Sequence, residues 1–408
     1  MARAKPFSAI RPTRDKVHLV ASRSYVSYSA AQLRKKLHDN PFSFLHIIHP
    51  DMGSKKMHKL PLEERFQLVR RKYESFIQES ILTRDSQPCY YLYSQVKKGH
   101  RFTGIIAAVS IDDYLSGHIR IHEQTLSKRQ ELFTTYLENT AINAEPVLLI
   151  GEKSHVLDGI FQRYMQKRPE YDFTQMTRVQ HQLWVIDEPE DTAAIERAFD
   201  GMSNLYIADG HHRSASSAAL CLKKRKENPD YNGREPWNYF LSYILDESNV
   251  RIYEFNRLVS SLNGLSDYDF FDLLGEKFLV NETSPLARPC AKGEFVMYFS
   301  KKWYSLRLRN NDSQPLDAQV LSDHILDPIL GIKDLKKDKR ISFLEGPQGL
   351  ESMQHLVDKG KYKVAFALHP VAIEELKRIA DNNDSMPPKS TWIEPKLRSG
   401  LVIYDLAE

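Results

Sequence analysis

The chain has 408 residues, 41% hydrophobic and 27% charged, with 57 basic and 53 acidic side chains and a formal net charge of +4. That balance suits a soluble globular protein of two or three domains, or one elaborated α/β unit. It argues against a bulk nucleic-acid binder, which shows a concentrated basic face. Cys89, Cys221 and Cys290 stand far apart with no CxxC spacing, which excludes a cysteine zinc cluster and points to a reducing, cytoplasmic compartment. The longest apolar runs, such as PVLLI and KVAFAL, are strand-sized, and MARAKPFSAIRPTRDK has no signal-peptide core, so no membrane partner is expected.

In chain order, SAAQLRKKLHD at 29–39 reads as a short helix capped by Ser29, ended by Asn40-Pro41. FSFLHII then reads as a strand. Helical spacing of Phe66, Val69, Tyr73, Phe76 and Ile77 predicts a helix over about 62–82. CYYLYSQV and TGIIAAVSI, separated by KKGHR, read as a hairpin. A helix follows RIHEQT and runs to about 138. EPVLLIG (strand), HVLDGIFQRYMQ (helix), HQLWVID (strand), DTAAIERAFDG (helix capped by Asp191 or Thr192) and NLYIADG (strand) alternate, which predicts a mixed α/β core. From about 230 the pattern shifts. WNYFLSYILDE and VRIYEFNRLV read as strands, GEFVMYFSKKWYSLRLR as a hairpin, and SDHILDPILGI, MQHLVDKG and AIEELKRIADN as helices. KVAFALHP and GLVIYDLA complete the set as strands. The expected organisation is an α/β domain over 1–230 and an α+β domain over 231–408, with a soft boundary that allows one intertwined unit.

The richest chemistry lies at the end of NLYIADG, where Asp209, Gly210, His211, His212 and Arg213 precede a small-residue helix. Gly210 permits a tight turn and close approach of a ligand. The following helix start offers N–H groups and the positive end of a dipole, which favour phosphate. Arg213 adds a bidentate donor, His211 and His212 add donors or proton carriers, and Ser214 adds a hydroxyl. Asp209 is a candidate base, histidine partner or Mg²⁺ ligand. A plain cap, a metal site and a nucleophile remain alternatives. The spacing carries no HxH or HExxH pair, and Ser214 lacks a GxSxG elbow.

The strand–DGHHR–helix segment resembles the phosphate-binding element of the ParB/sulfiredoxin-like superfamily, which includes partition proteins, sulfiredoxins and free-serine kinases. More widely, the chain resembles the uncharacterised bacterial family DUF1015. The matching blocks are KPFSAIRP at 5–12, NPFSFLHIIHPD at 40–51, IRIHEQT at 119–125, LYIADGHHR at 205–213, NRLVSSLNGLS at 256–266, DKRISFLEG at 338–346 and MPPKSTWIEPKLRSGL at 386–401. Where relatives often carry aspartate, this chain has Val26 and Ser342. The resemblance implies a ParB/sulfiredoxin-like element within a larger mixed-sheet fold.

Other candidates are Glu123 as general base or Mg²⁺ ligand, His122 as proton carrier and Asn143 as cap or substrate contact. Lys389, Ser390 and Thr391 follow a rigid double proline, and Lys396 and Arg398 follow a further proline; with Arg340, all suit an anionic substrate. These residues together are the inventory of phosphoryl transfer, with cations for phosphates and a carboxylate for a hydroxyl proton. The expected activity is therefore nucleotide-dependent phosphoryl transfer, using ATP or ADP and Mg²⁺, on a small hydroxylated or phosphorylated metabolite. Analogy with free-serine kinases makes serine or phosphoserine the first candidate, and a homodimer is left open. The alternatives are a nucleotide-gated regulatory module, and a metal-dependent phosphatase or nuclease using Asp209, His211 and His212.

Overall fold

The computed structural model describes residues 2–49, 60–309 and 315–407. Pro50 and Asp51 of the NPFSFLHIIHPD block, and the side chain of Val26, lie outside the described residues. Contacts divide the chain into a unit of Met1–Val250 with Pro395–Glu408 and a unit of Arg251–Glu394. The division falls later than residue 230 because the Tyr239–Asp246 strand pairs into the first unit's sheet. The last residues of the chain return to that unit, which a single cut in the sequence cannot express.

The first unit is mixed α/β. Its main sheet orders the strands Tyr171–Thr174, Gln180–Ile186, Tyr90–Lys97, His100–Ser110, Tyr239–Asp246, Val147–Gly151, Leu205–Asp209 and Ile119–Arg120, with Ala4–Lys5 also on His100–Ser110. Two pairings, Tyr239–Asp246 with Val147–Gly151 and Leu205–Asp209 with Ile119–Arg120, are parallel. Alternation along the strands sends Leu92, Ile105, Val147, Leu149, Leu205 and Ile207 into one core with the helices His155–Met165, Pro189–Asp200 and His211–Glu227. The opposite face presents Tyr91, Tyr93 and Tyr243, also buried, so the strands read as nearly continuous apolar runs.

Most predicted elements form near their expected bounds. Ser29 caps the Ala30–Asp39 helix in a capping box with Gln32. The hairpin forms between Tyr90–Lys97 and His100–Ser110. Three expectations change. FSFLHII is not a strand: Leu45–Ile48 is a helical turn, because Ser43 accepts the Leu45 N–H at 3.3 Å and the His46 ring meets the Asn40 carbonyl at 3.0 Å. The Pro189–Asp200 helix is preceded by Glu188, not Asp191 or Thr192, because Pro189 takes the first helical position, where a missing N–H costs nothing. GLVIYDLA contributes only the two-residue strand Tyr404–Asp405, paired with Ile142–Asn143.

The second unit is built on an antiparallel sheet in the order Phe278–Glu282, Lys302–Leu308, Glu294–Phe299, Val364–Ala367, Arg251–Val259 and Ile341–Glu345, with Thr391–Glu394 on the start of Arg251–Val259. The SDHILDPILGI segment opens as a π-helical turn at Ser322–Leu326 and buries Ile325, Leu326 and Ile329 against this sheet's core. No helix among the described residues is long and apolar enough to cross a membrane.

Candidate functional site

The Leu205–Asp209 strand runs directly into the His211–Glu227 helix, with Gly210 as the single residue between them. Gly210 has φ +108°, a conformation open to glycine and strained for other residues. A Cβ there would stand 3.1 Å from the Arg213 guanidinium, a tight contact that the guanidinium would have to yield to, so it is the dihedral that calls for glycine. The turn thereby aims the first turn of a 17-residue helix, which has no side-chain cap, at the end of the strand.

Asp209 is the electrostatic centre of this turn. Its carboxylate accepts from Arg213 Nη2 at 2.7 Å and from Lys396 Nζ at 3.0 Å. Partial burial pushes its carboxyl upward, but Lys396 and Arg213 outweigh that and hold it well below the usual carboxylate range. Arg213 also meets Glu145 Oε1 at 3.3 Å and donates to the carbonyls of Glu145 and Pro146. Ser399 Oγ in turn donates to Glu145 Oε2 at 3.1 Å. The guanidinium expected to grip phosphate thus braces two carboxylates and the backbone before the Val147–Gly151 strand.

The Ile119–Arg120 strand lies parallel to Leu205–Asp209 and delivers His122 and Glu123 to the same end of the sheet. The His122 backbone N–H donates to His211 Nε2 at 3.4 Å, and the two rings meet edge to face at 4.5 Å. Glu123 Oε2 stands 3.6 Å from His211 Nδ1. Burial lowers the His122 imidazole to about 4 and pushes His211 well below its ordinary value, the latter aided by His122. Both rings are therefore neutral near pH 7. Neither ring nitrogen of His122, which is 1% exposed, has a hydrogen-bond partner.

His122, Glu123 and His211 each offer one ligand atom within 4.8 Å of the others. Two imidazoles and one carboxylate suit a transition-metal ion better than Mg²⁺, which prefers oxygen throughout. Asp209, by contrast, already serves two cations. The trio spans two distant segments, which is why the absence of a local HxH spacing concealed it. Ser214 does not join the site: it is fully buried, and its hydroxyl donates to the His211 carbonyl at 3.0 Å. His212, the second residue of the helix, is half-buried next in sequence to His211.

The model of the family described as "Protein of unknown function (DUF1015)" matches residues 4–328. The chain belongs to the DUF1015 family. No curated protein matches it. Among solved structures, free serine kinase in complex with AMP is 16% identical with a TM-score of 0.36, the match covering 72% of this DUF1015 chain and 91% of that one. A mutant of free serine kinase in complex with ADP is 17% identical with a TM-score of 0.37 and the same coverage, 72% and 91%. SbnI with a C-terminal truncation, from Staphylococcus aureus, is 14% identical with a TM-score of 0.38, covering 71% of this chain and 82% of that one.

The other expected site residues divide by unit. Asn143 is buried on the Ile142–Asn143 strand opposite Tyr404, and Arg398 is buried on Arg398–Ser399 opposite Arg23; both belong to the first unit. Arg340, Lys389, Ser390 and Thr391 belong to the second. There Arg340 is a structural pin, held by Asp338 at 2.7 Å, by the carbonyls of Leu330 and Gly331 and by Asn263. Ser390 donates to the Pro387 carbonyl at 2.8 Å, and Thr391 pairs opposite Glu254 in the sheet. Ser342 sits opposite Leu258 in the same sheet. Glu145, absent from the sequence-based set, is a missed member of the first unit's site. Its signal was only an acidic residue before a buried strand.

Proposed function

We propose that this protein is a phosphotransferase that uses a nucleotide and a small hydroxylated or phosphorylated metabolite. The observation that carries the reading is convergence: three segments distant in sequence, His122–Glu123, Asp209–Arg213 and Lys396, meet at one strand-to-helix turn. In this reading the first-turn N–H groups of the His211–Glu227 helix, His212 and Lys396 receive phosphate oxygens. Asp209 and Arg213 hold the turn and Lys396 in place. Glu123 takes the proton of the acceptor hydroxyl as its oxygen bonds to phosphorus and the bond to the leaving phosphate breaks.

The charge balance bears on the cofactor. With both buried histidines neutral, Arg213 and Lys396 stand against Asp209, Glu145 and Glu123. A site with more carboxylates than cations takes nucleotide phosphates together with a divalent cation. Glu123, with His122 and His211, would hold that ion, which would neutralise phosphate charge. Serine and phosphoserine are the first substrates to test, because of the likeness of the DGHHR segment to that of free-serine kinases.

The His122, Glu123 and His211 trio also supports a second reading, a metal-dependent phosphohydrolase. One experiment separates the readings. The protein is incubated with ATP or ADP, serine or phosphoserine, and Mg²⁺ or, separately, Zn²⁺, and phosphorus NMR follows the phosphoryl group. Transfer to or from the amino acid is the expected result. Free phosphate released without nucleotide favours the hydrolase, and saturable nucleotide binding without turnover favours a regulatory module.

A further inference from the structure

The tyrosine-bearing face of the first unit's sheet holds a set of buried donors that the proposed chemistry does not use. Gln95 and His181 are direct cross-strand partners on Tyr90–Lys97 and Gln180–Ile186, so their side chains share one face. They are 3% and 0% exposed. The Tyr93 hydroxyl meets His181 Nδ1 at 2.7 Å, and the imidazole is stacked between Phe173 and Tyr93. Arg398, 6% exposed, lies close enough that its charge acts on both Tyr93 and His181.

Three atoms in this set have no hydrogen-bond partner: Gln95 Nε2, His181 Nε2 and Arg398 Nε. Burial and, secondarily, Arg398 lower His181 to about 3, so its ring is neutral and carries one N–H. With the Tyr93 hydroxyl donating to Nδ1, that hydrogen sits on Nε2. All three orphaned atoms are then donors. Among the described residues no carboxylate pairs with Arg398, and burial lowers its pKa, as expected of an uncompensated guanidinium. Buried donors in folded proteins are almost always satisfied, so a cluster of three marks a missing acceptor.

We infer that Arg398, His181 and Gln95 form a recognition site for the carboxylate of a small-molecule ligand. A monoanionic carboxylate matches one buried guanidinium in charge, and its two oxygens offer enough lone pairs for three donors. The geometry connects this site to the Asp209 turn through one short segment: Lys396 reaches Asp209, Arg398 enters the donor set, and Ser399 reaches Glu145. In the sheet order the Gln95 and His181 strands stand four and five places from Leu205–Asp209, about 20 Å at ordinary strand spacing and further than a small metabolite spans, so the carboxylate belongs to a second ligand and the inference does not rest on the phosphotransfer reading.

The test is thermal unfolding of the intact chain with acetate, L-serine or glycerate, each against the corresponding amide, which lacks the carboxylate, and with inorganic phosphate. Arg398→Met and Gln95→Leu are compared with the wild type. At least one carboxylate should raise the wild-type melting temperature. Its amide should bind about 100-fold more weakly, Arg398→Met should lose the response, and Gln95→Leu should weaken binding about tenfold. Without ligand, Arg398→Met should melt no lower than wild type, because it removes an unpaired buried charge. The inference is overturned if no carboxylate shifts the melt, if phosphate alone gives an Arg398-dependent shift, or if Arg398→Met melts several degrees lower. Nucleotide binding is measured alongside. A carboxylate response without nucleotide binding upholds this site and removes the phosphotransfer reading; nucleotide binding without a carboxylate response does the reverse.

Discussion

Two turns rich in basic and hydroxyl residues attract attention in the sequence, Asp209–Ser214 in the first unit and Pro387–Thr391 in the second. Their structures differ in kind. The first gathers side chains from three distant segments around one carboxylate and leaves His122 buried with unsatisfied ring nitrogens. The second spends its polar groups on its own unit. Ser390 bonds the Pro387 carbonyl, the Lys389 carbonyl accepts from Arg257 Nη1 at 2.8 Å, and the Lys389 ammonium lies 5.1 Å over the Phe255 ring. Residue types that suit phosphate are therefore a weak indicator by themselves. Convergence of side chains from separate segments is the stronger one.

Several substitutions would break or sharpen this contrast. The largest effect is expected at Glu123→Gln, which should lower phosphoryl transfer by about 10²–10⁴-fold and weaken metal-dependent nucleotide binding, while urea stability stays near wild type. Arg213→Ala should cost about 3 kcal/mol in urea unfolding, because Asp209 and Glu145 lose their shared partner. Acid should act on the first turn in a defined window. The folded His122 remains neutral to about 4, whereas the unfolded ring takes a proton below 6.5. The unfolded state then binds more protons, so this group's stabilisation is complete above pH 6.5 and is lost as pH falls toward 4. The loss is roughly 3 kcal/mol for this one residue, and is read from melts in chelator at stepped pH, with His122→Gln flattening the profile. Gly210→Ala should cost about 2 kcal/mol from its left-handed backbone and its crowding of Arg213, with a matching drop in nucleotide affinity. Smallest of all, Ser390→Ala should cost about 1 kcal/mol and leave transfer within about twofold of wild type. A large loss of turnover there would erase the distinction between the turns.

Much of this was legible in the sequence where the cause is local. Alternation marked the strands of the main sheet, and the strand–Gly210–helix turn follows from residue types alone. FSFLHII misled because Ser43 and Asn40 supply local hydrogen bonds that favour a helical turn over the apolar run's strand preference. The WNYFLSYILDE and VRIYEFNRLV strands are adjacent in sequence yet enter different sheets, a choice made by long-range pairing. The site was half legible. DGHHR and HE carry their chemistry in their letters, but the neutral state of His122 and His211 comes from burial. The roles of Glu145 in holding Arg213, and of Gln95 and His181 as orphaned donors, depend on strand register and on the return of the chain after Glu394.

The central claim is that the Asp209–Arg213 turn receives nucleotide phosphates. Calorimetric titration of ADP and ATP with Mg²⁺ into wild type, His212→Ala and the Lys389→Ala, Ser390→Ala double variant tests it most directly. The account predicts saturable binding by wild type, at least about tenfold weaker binding by His212→Ala, and wild-type binding by the double variant. Equal affinity for wild type and His212→Ala, or no saturable binding by wild type, would contradict it.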